Sequence, residues 1–321
     1  MTVQSETIHQ LTIPTPFLVG PVHVYLICSD TLTLVDTGPL TLEGKASLIS
    51  QLDILGYKLE DIEQVILTHH HPDHVGLAGL FKSAVLIGHR YLRPWLRKED
   101  QFFKRYKSFF EEFYHAHGFS QSNIEKVSKS SQAYMSFIEK TDLDVIVSHG
   151  DEVPGLKGWR VLEVPGHAQN HIMIVRTKDH TAIGADVLLG SISSNALLEA
   201  PMDGGQERPK TLIQYRKSLQ LVQDLNLQLL MPGHGEIIMN VNDLIDQRLE
   251  GHLTRANVIK NLLGNKRLSA NEISYQLFKE KHLKQPDLTF SETLGHLDLL
   301  VEQSDLIVTE IEGIYLYHKI E

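Results

Sequence analysis

The chain has 321 residues, enough for one large domain with a small companion or for two comparable ones. At 42% hydrophobic, 22% charged and 7% aromatic residues it has the composition of a globular protein, which excludes a fibrous or disordered chain. Thirty Lys and Arg against forty Asp and Glu give a formal charge of −10, against a main task of neutralising nucleic-acid phosphates, and one cysteine, Cys28, leaves no internal disulfide or thiolate cluster.

The first basic residue is Lys45, so the N-terminus lacks the basic region of a secretory signal. No apolar run approaches the roughly 20 residues of a membrane span. These features read as a cytoplasmic chain without membrane insertion. In chain order, residues 23–28 and 31–35, rich in β-branched side chains and separated by Ser29 and Asp30, predict a hairpin. A helix is expected over 42–55, with Leu48, Ile49, Leu52 and Leu55 at helical spacing and Gly56 as its stop. A short strand at 64–67 runs straight into Thr68-His69-His70-His71-Pro72-Asp73-His74, where Pro72 opens a helix.

Residues 90–140 differ in character. Long helical stretches carry Phe102, Phe103, Tyr106, Phe109, Phe110, Phe113 and Tyr114 at three- and four-residue steps, and ten Lys and Arg against six Asp and Glu make the stretch locally basic. It reads as an inserted helical unit, either a helix pair with an aromatic core or a lid over a pocket. Strand-like segments resume at 144–147, 159–164, 171–175 and 181–184. A helix at 210–225 then leads to a strand at 227–231 and to Pro232-Gly233-His234-Gly235.

Beyond residue 245 the pattern predicts helices at 249–263, 269–281 and 291–303, the second opened by a capping box of Ser269 and Glu272, followed by strands at 306–310 and 314–318. This reads as a winged-helix unit. Its recognition-helix position carries Glu292, Asp298 and Glu302 and no basic residue, so a structural or interactive role is expected there rather than DNA reading.

The chemistry lies in His69-X-His71-X-Asp73-His74. Residues 69 and 71 point to one side of an extended chain, while 73 and 74 begin a helix directly beneath, so four donors converge on a small volume. Imidazoles mixed with carboxylate point to a transition metal such as Zn²⁺.

With these residues the chain resembles metallo-β-lactamase superfamily hydrolases. The matching pieces are Asp36-Thr37-Gly38, the 68–74 motif, Pro165-Gly166-His167-Ala168-Gln169-Asn170-His171, Gly184-Ala185-Asp186 and Pro232-Gly233-His234-Gly235, in the family's order over about the first 240 residues. The resemblance implies an α/β fold, the αββα sandwich, with a catalytic domain over 1–244 that holds the 90–140 insert, and the winged-helix unit over 245–321. It also implies two divalent metal ions per chain, zinc foremost, with iron or manganese as alternatives. His69, His71 and His167 would hold one, Asp73, His74 and His234 the other, and Asp186 would bridge them. A shared hydroxide is then the expected nucleophile, with Asp73 as a proton shuttle. Asp36 and His171 are candidates for orienting ligand imidazoles; the rival readings are a turn residue before Gly38 and a strand start.

Departures from subfamily patterns narrow the substrate. Dizinc β-lactamases use a cysteine where this chain has Asp186, so antibiotic hydrolysis is not expected. Glyoxalase II, a thioesterase, and the acyl-homoserine lactonases share the bridging aspartate and open acyl bonds. The 166–171 segment departs from the glyoxalase II motif, however, and the lactonase tyrosine is missing after Asp186, with Tyr215 read as packing. The expected activity is hydrolysis of a small-molecule thioester, lactone or related acyl ester, with Arg93 and Arg97 as candidate contacts to an anionic end. Homo-oligomers and a nucleic-acid substrate, the latter disfavoured by charge, stay open. The alternatives are a phosphodiesterase or ribonuclease of the same fold, a mononuclear iron dioxygenase of thiols or persulfides, and a non-catalytic metal-binding sensor.

Overall fold

A computed structural model of the chain describes residues 6–205 and 207–320, apart from the side chain of Ser131. Residues 7–35 form β1 (Thr7–Ile13), β2 (Val22–Cys28) and β3 (Thr33–Val35), an antiparallel meander. Strand β1 adds to the predicted hairpin. Its mostly polar, half-exposed sequence alternates only over residues 10–13, too short a stretch to announce it, and pairing with β2 over all seven residues defines it. Helix α1 (Leu42–Ile54) follows, with Thr41 Oγ1 accepting from Gly44 N at 2.9 Å as its N-cap.

Strand β4 (Gln64–Leu67) leads into the short α2 (Pro72–Val75) and on to β5 (Val85–Gly88). The insert comprises α3 (Arg93–Arg97), α4 (Asp100–Ala116) and α5 (Gln121–Tyr134), after which β6 (Val145–Ile146) completes a sheet in the order β1-β2-β3-β4-β5-β6, parallel from β3 onward. The second sheet contains β7 (Trp159–Glu163), β8 (Ile172–Arg176) and β9 (Thr181–Ala185). After α6 (Thr211–Asp224), β10 (Leu229–Pro232) pairs parallel with β9, giving the order β10-β9-β8-β7.

Alternation along the strands builds three cores from two sheets. Tyr25, Ile27, Val35, Ile66 and Ile87 of the first sheet meet Trp159, Val161, Ile172, Ile174 and Ile183 of the second. The opposite parity of the first sheet, Val24, Leu26, Val65 and Leu67, faces Leu48 and Leu52 of α1. That of the second sheet, Met173, Val175, Ala182 and Leu230, faces Leu212 and Leu219 of α6. The result is a helix–sheet–sheet–helix sandwich. Ile172 N donates to Thr68 O at 2.9 Å and Tyr25 Oη to Pro232 O at 2.6 Å, which ties the two sheets together along the edge where β4 and β10 end.

Helix α7 (Val241–Leu263) runs unbroken through the predicted domain boundary at 244–245. Beyond it come β11 (Leu268–Ser269), α8 (Ala270–Phe278), α9 (Glu280–Lys284), α10 (Pro286–Glu302), β12 (Leu306–Ile311) and β13 (Ile314–Lys319), the last two a hairpin joined by β11. The capping box of Ser269 and Glu272 is present, and α10 starts five residues before the predicted 291 because Pro286 is compatible with a first turn. At the position of a recognition helix, α10 is buried from Thr289 to Leu300 except at the half-buried Glu292, and it packs on α6, α7, α8 and α9, so it has no free face for a groove. One apolar cluster runs from Val164 and Met173 through Ile245 and Ile259 to Phe290, Leu297 and Tyr317, so the C-terminal unit shares the core of the second sheet. Among the described residues no helix is long and apolar enough to cross a membrane.

Phe290 is fully buried, its ring 5.3 Å from Tyr114 and 4.9 Å from Phe119. Phe290→Ala is expected to destabilise the whole chain by about 3–5 kcal/mol. Denaturant unfolding should show one transition whether it is followed by far-UV circular dichroism or by tryptophan fluorescence. Early loss of the C-terminal helices alone would mean that the cores are separable.

Candidate metal centre

The sandwich brings the ends of β3, β4, β7, β9 and β10 to one edge, and a motif residue follows each: Asp36, the 68–74 loop, His167, Asp186 and His234. Two groups of donors converge there. His69, His71, His167 and Asp186 form one, and Asp73, His74 and His234 the other, with the donor atoms in each group within 4.8 Å of one another.

Tautomers follow from what each ring holds at its far side. His74 donates Nδ1–H to Asp36 Oδ2 at 2.7 Å, His167 donates Nδ1–H to Asn195 O at 2.8 Å, and His234 donates Nδ1–H to Pro21 O at 2.7 Å. The hydroxyl of Thr68 donates to Asp36 at 2.8 Å, so its oxygen accepts from His69 Nδ1–H at 3.1 Å. On the neutral rings all four Nε2 atoms are therefore lone pairs, and all four point inward. Nδ1 of His71 lies 2.9 Å from His69 Nε2 and 3.0 Å from His167 Nε2, and one proton on it cannot satisfy both.

Asp186 stands between the groups. Oδ1 is 3.5 Å from His74 Nε2, while Oδ2 is 3.5 Å from His167 Nε2 and 3.7 Å from His234 Nε2; His234 Nε2 is also 3.3 Å from Asp73 Oδ2. Such spacings are long for hydrogen bonds but match donors sharing one cation, since two ligands about 2.1 Å from a tetrahedral metal stand about 3.4 Å apart. The buried Nε2 atoms of His74 and His234 and Oδ1 of Asp186 have no hydrogen-bond partner among the described residues. Orphaned polar atoms of this kind are what a missing cation leaves, so the donor set fits a metal.

Charge agrees with the geometry. Burial works against an ionised Asp186, yet the charged forms of His74 and His234 outweigh it and hold the carboxyl well below the usual range, and Asp186 in turn raises the pKa of both rings against their own burial, so a cation bound at these two Nε2 atoms takes the place of a proton. At His69, burial and then the surrounding imidazoles, His74 first, depress the pKa, which keeps the lone pair free.

Two of the left-handed residues of the chain lie at this edge. Asp36 and Ala185, neither of them glycine, sit at φ 61° and 43° in the left-handed region, flanked by Asp36 N→Ile66 O at 2.8 Å and Gly233 N→Ala185 O at 2.8 Å. Gly233 is required by close approach: a Cβ there would collide with Asp186 Oδ1 and with His74 Cε1.

His171 packs 4.7 Å from the His69 ring and 5.7 Å from that of His167, but neither of its nitrogens has a hydrogen-bond partner among the described residues, so it holds no ligand by a bond seen here. Arg93 and Arg97 both grip Asp142, at 2.8 and 2.6 Å, and Arg93 also donates to Leu143 O. Their guanidiniums brace the exit of the insert instead of standing free for a substrate. Tyr215 is buried with its hydroxyl on Val187 O at 2.9 Å, a packing position.

Several residues of the site escaped the sequence reading. Thr68 and the carbonyls of Pro21 and Asn195 orient rings, and only the threonine, adjacent to the motif, was visible there. Glu199 Oε1 accepts from Gln169 N at 2.7 Å and pins the turn after His167; burial pushes this carboxyl up to about 8. His70, between two of the donors, stacks on Trp95 of α3 with ring centroids 3.9 Å apart and donates to Asn170 Oδ1. From Trp95 the aromatics continue through Tyr106, Phe110 and Tyr114 to Phe290, so those of the insert form a packed row from the metal loop to the C-terminal unit.

A sandwich of this kind, with two sets of imidazole and carboxylate donors at one sheet edge, defines a metal-dependent hydrolase. The chain belongs to the metallo-beta-lactamase superfamily, which residues 18–234 match. It is 39% identical over 318 residues to "Probable metallo-hydrolase YqjP" of Bacillus subtilis (strain 168), covering 98% of both chains. A crystal structure of a metallo-beta-lactamase family protein from Thermus thermophilus superposes with a TM-score of 0.81 at 26% identity, covering 98% of each chain. A hydroxyacylglutathione hydrolase of Bradyrhizobium sp. (strain ORS 278) is 29% identical over 142 residues, 44% of this chain and 38% of that one.

Asp36→Ala removes the brace on His74 and Thr68 and should weaken metal binding by about 10–100-fold, read by competition against a chelator. Gly233→Ala should displace Asp186 and lower metal content while far-UV circular dichroism stays native. Full metal occupancy in that variant would show that Asp186 is not needed to hold the metal.

Proposed function

We propose that the chain is a binuclear, zinc-dependent hydrolase of a small-molecule acyl bond: a thioester, lactone or related ester. One observation carries the reading, the placement of Asp186 within 3.5–3.7 Å of imidazoles from both donor groups. His69, His71 and His167 would hold one ion, Asp73, His74 and His234 the second, and Asp186 both. Two bound divalent cations supply Lewis acidity and a water acidified towards neutrality.

The rest is work for the chain's own side chains. Asp36, Thr68 and the carbonyls of Pro21 and Asn195 keep four imidazole lone pairs turned inward. Asp73, whose Oδ2 lies 3.3 Å from His234 Nε2, would hand a proton to the leaving group. An all-nitrogen-and-oxygen donor set of this size suits zinc, and iron or manganese remain outcomes of the metal analysis. The partial likeness to a hydroxyacylglutathione hydrolase supports an acyl substrate. A formal charge of −10 and the burial of α10 speak against RNA. The lone Cys28, half-buried on β2, fits a reducing cytoplasm.

Metal analysis of protein purified without added metal, beside a panel of thioesters, lactones and phosphodiesters, tests the reading. About two zinc ions per chain are expected, with acyl hydrolysis lowered by about 10³-fold or more in Asp186→Ala. One iron per chain with oxygen uptake on a thiol or persulfide would replace it with a dioxygenase, and cleavage of phosphodiesters alone with a nuclease.

A further inference from the structure

The three sheets have six edges, and five of them are either covered or too short to pair. On β1, the side-chain amide of Gln51 in α1 accepts from Thr12 N at 3.0 Å and donates to Thr12 O at 2.9 Å, in the manner of a neighbouring strand. Residues 150–152 run along β7, where Val161 N donates to Asp151 O and Gly150 N to Val161 O. Ile238 exchanges both main-chain bonds with Leu230 of β10, each at 2.9 Å. Strands β6 and β11 are two residues long and offer no ladder.

The sixth edge is open. Strand β12, six residues long, bonds to β13 on one side, and on the other it has no main-chain partner among the described residues. Such a row of free N–H and C=O groups is a template for a further strand, and proteins guard it with Lys, Pro or a bulge. Strand β12 carries none of these: it reads Leu306-Ile307-Val308-Thr309-Glu310-Ile311, and its register with β13 is unbroken. It is also apolar on both faces, with Ile307 and Val308 each 40% exposed and Ile311 45%. Glu310 is its single charge.

Charge says what fits this edge. Glu310 stands near one end of β12, and Lys319 of β13 flanks Leu306 at the other; neither side chain makes a hydrogen bond or ion pair among the described residues. An antiparallel copy of the same strand brings the unlike ends together. With a two-fold axis at Val308, that residue faces Val308 of the second copy, Ile307 faces Thr309, and Leu306 faces Glu310. Glu310 of each copy then shares a face with Lys319 of the other, two strand spacings or about 10 Å away, which is within about a Debye length. The attraction is made twice, and no like charges stand opposite each other.

We propose that β12 is a homodimer interface: two copies of the chain pair this strand antiparallel about a two-fold axis at Val308 and join their three-stranded sheets into one of six strands. The pairing satisfies the free main-chain groups, covers Ile307 and Val308, and closes the last open edge of the molecule. None of the metal-site donors belongs to β11, β12 or β13, so the interface leaves the metal centre as it is.

Sedimentation velocity on the full chain, over about 1–100 μM at about 50 mM salt, tests the proposal. A dimer is expected, with a dissociation constant below about 10 μM. Val308→Lys sets two like charges face to face at the axis and should leave a monomer at every concentration, with far-UV circular dichroism unchanged. The charge pair tests the register independently, and it serves alone should Val308→Lys fail to fold. Glu310→Lys and Lys319→Glu should each weaken the dimer by about threefold or more, and the double variant should restore it. A chain that stays monomeric at about 100 μM overturns the proposal and leaves the edge to a strand of another protein. So does a dimer that Val308→Lys leaves intact, or single charge reversals that the double variant does not rescue.

Discussion

Everything at this centre depends on one requirement: an imidazole can offer a metal a lone pair only if its other nitrogen keeps the proton. The fold meets it by giving His74, His167, His234 and His69 each an acceptor at Nδ1: Asp36, Asn195 O, Pro21 O and Thr68 Oγ1. Two of these acceptors are backbone carbonyls from loops 28 and 213 residues away in the chain, so the donor set exists only when both sheets and their connecting loops are in place. Asp186 then faces imidazoles of both groups and stays ionised against its burial.

The sandwich makes that arrangement attainable because the ends of β3 and β4 in one sheet meet those of β7, β9 and β10 in the other along a shared edge. Cross-sheet bonds such as Ile172 N→Thr68 O and Tyr25 Oη→Pro232 O fix the register between the sheets at the donor loops. Left-handed backbone at Asp36 and Ala185 and the bare Cα of Gly233 show where side-chain placement has prevailed over local comfort. Both kinds of feature lie beside the donors.

The insert and the C-terminal unit extend the same constraint outward. His70 is clamped between Trp95 and Asn170, and the aromatic row that begins at Trp95 ends in the core around Phe290. The loop that carries His69 and His71 is thereby backed by packed rings reaching into α10, while Arg93 and Arg97 close the insert onto Asp142. A helix that would read DNA in another context is here the buried hub joining α6, α7, α8 and α9.

Much of this was legible in the residues alone. Strand and helix patterns and the His69-X-His71-X-Asp73-His74 spacing indicated a mixed chain with a cluster of metal donors, because periodicity and short-range spacing are local properties written directly in the chain; the sandwich and the places of His167, Asp186 and His234 were implied by the resemblance of short motifs to the superfamily. Strand β1 was not legible, since its polar sequence becomes a strand only by pairing with β2. The roles of Arg93 and Arg97 were not either, since which carboxylate a long side chain meets depends on where Asp142 is brought, 45 to 49 residues on. Nor could the sequence show the tautomers, the continuity of α7 through the expected boundary, or the open edge of β12. Local spacing named the donors of the 69–74 loop; long-range packing brought the others beside them, and decided what holds their far sides and which polar atoms were left without partners.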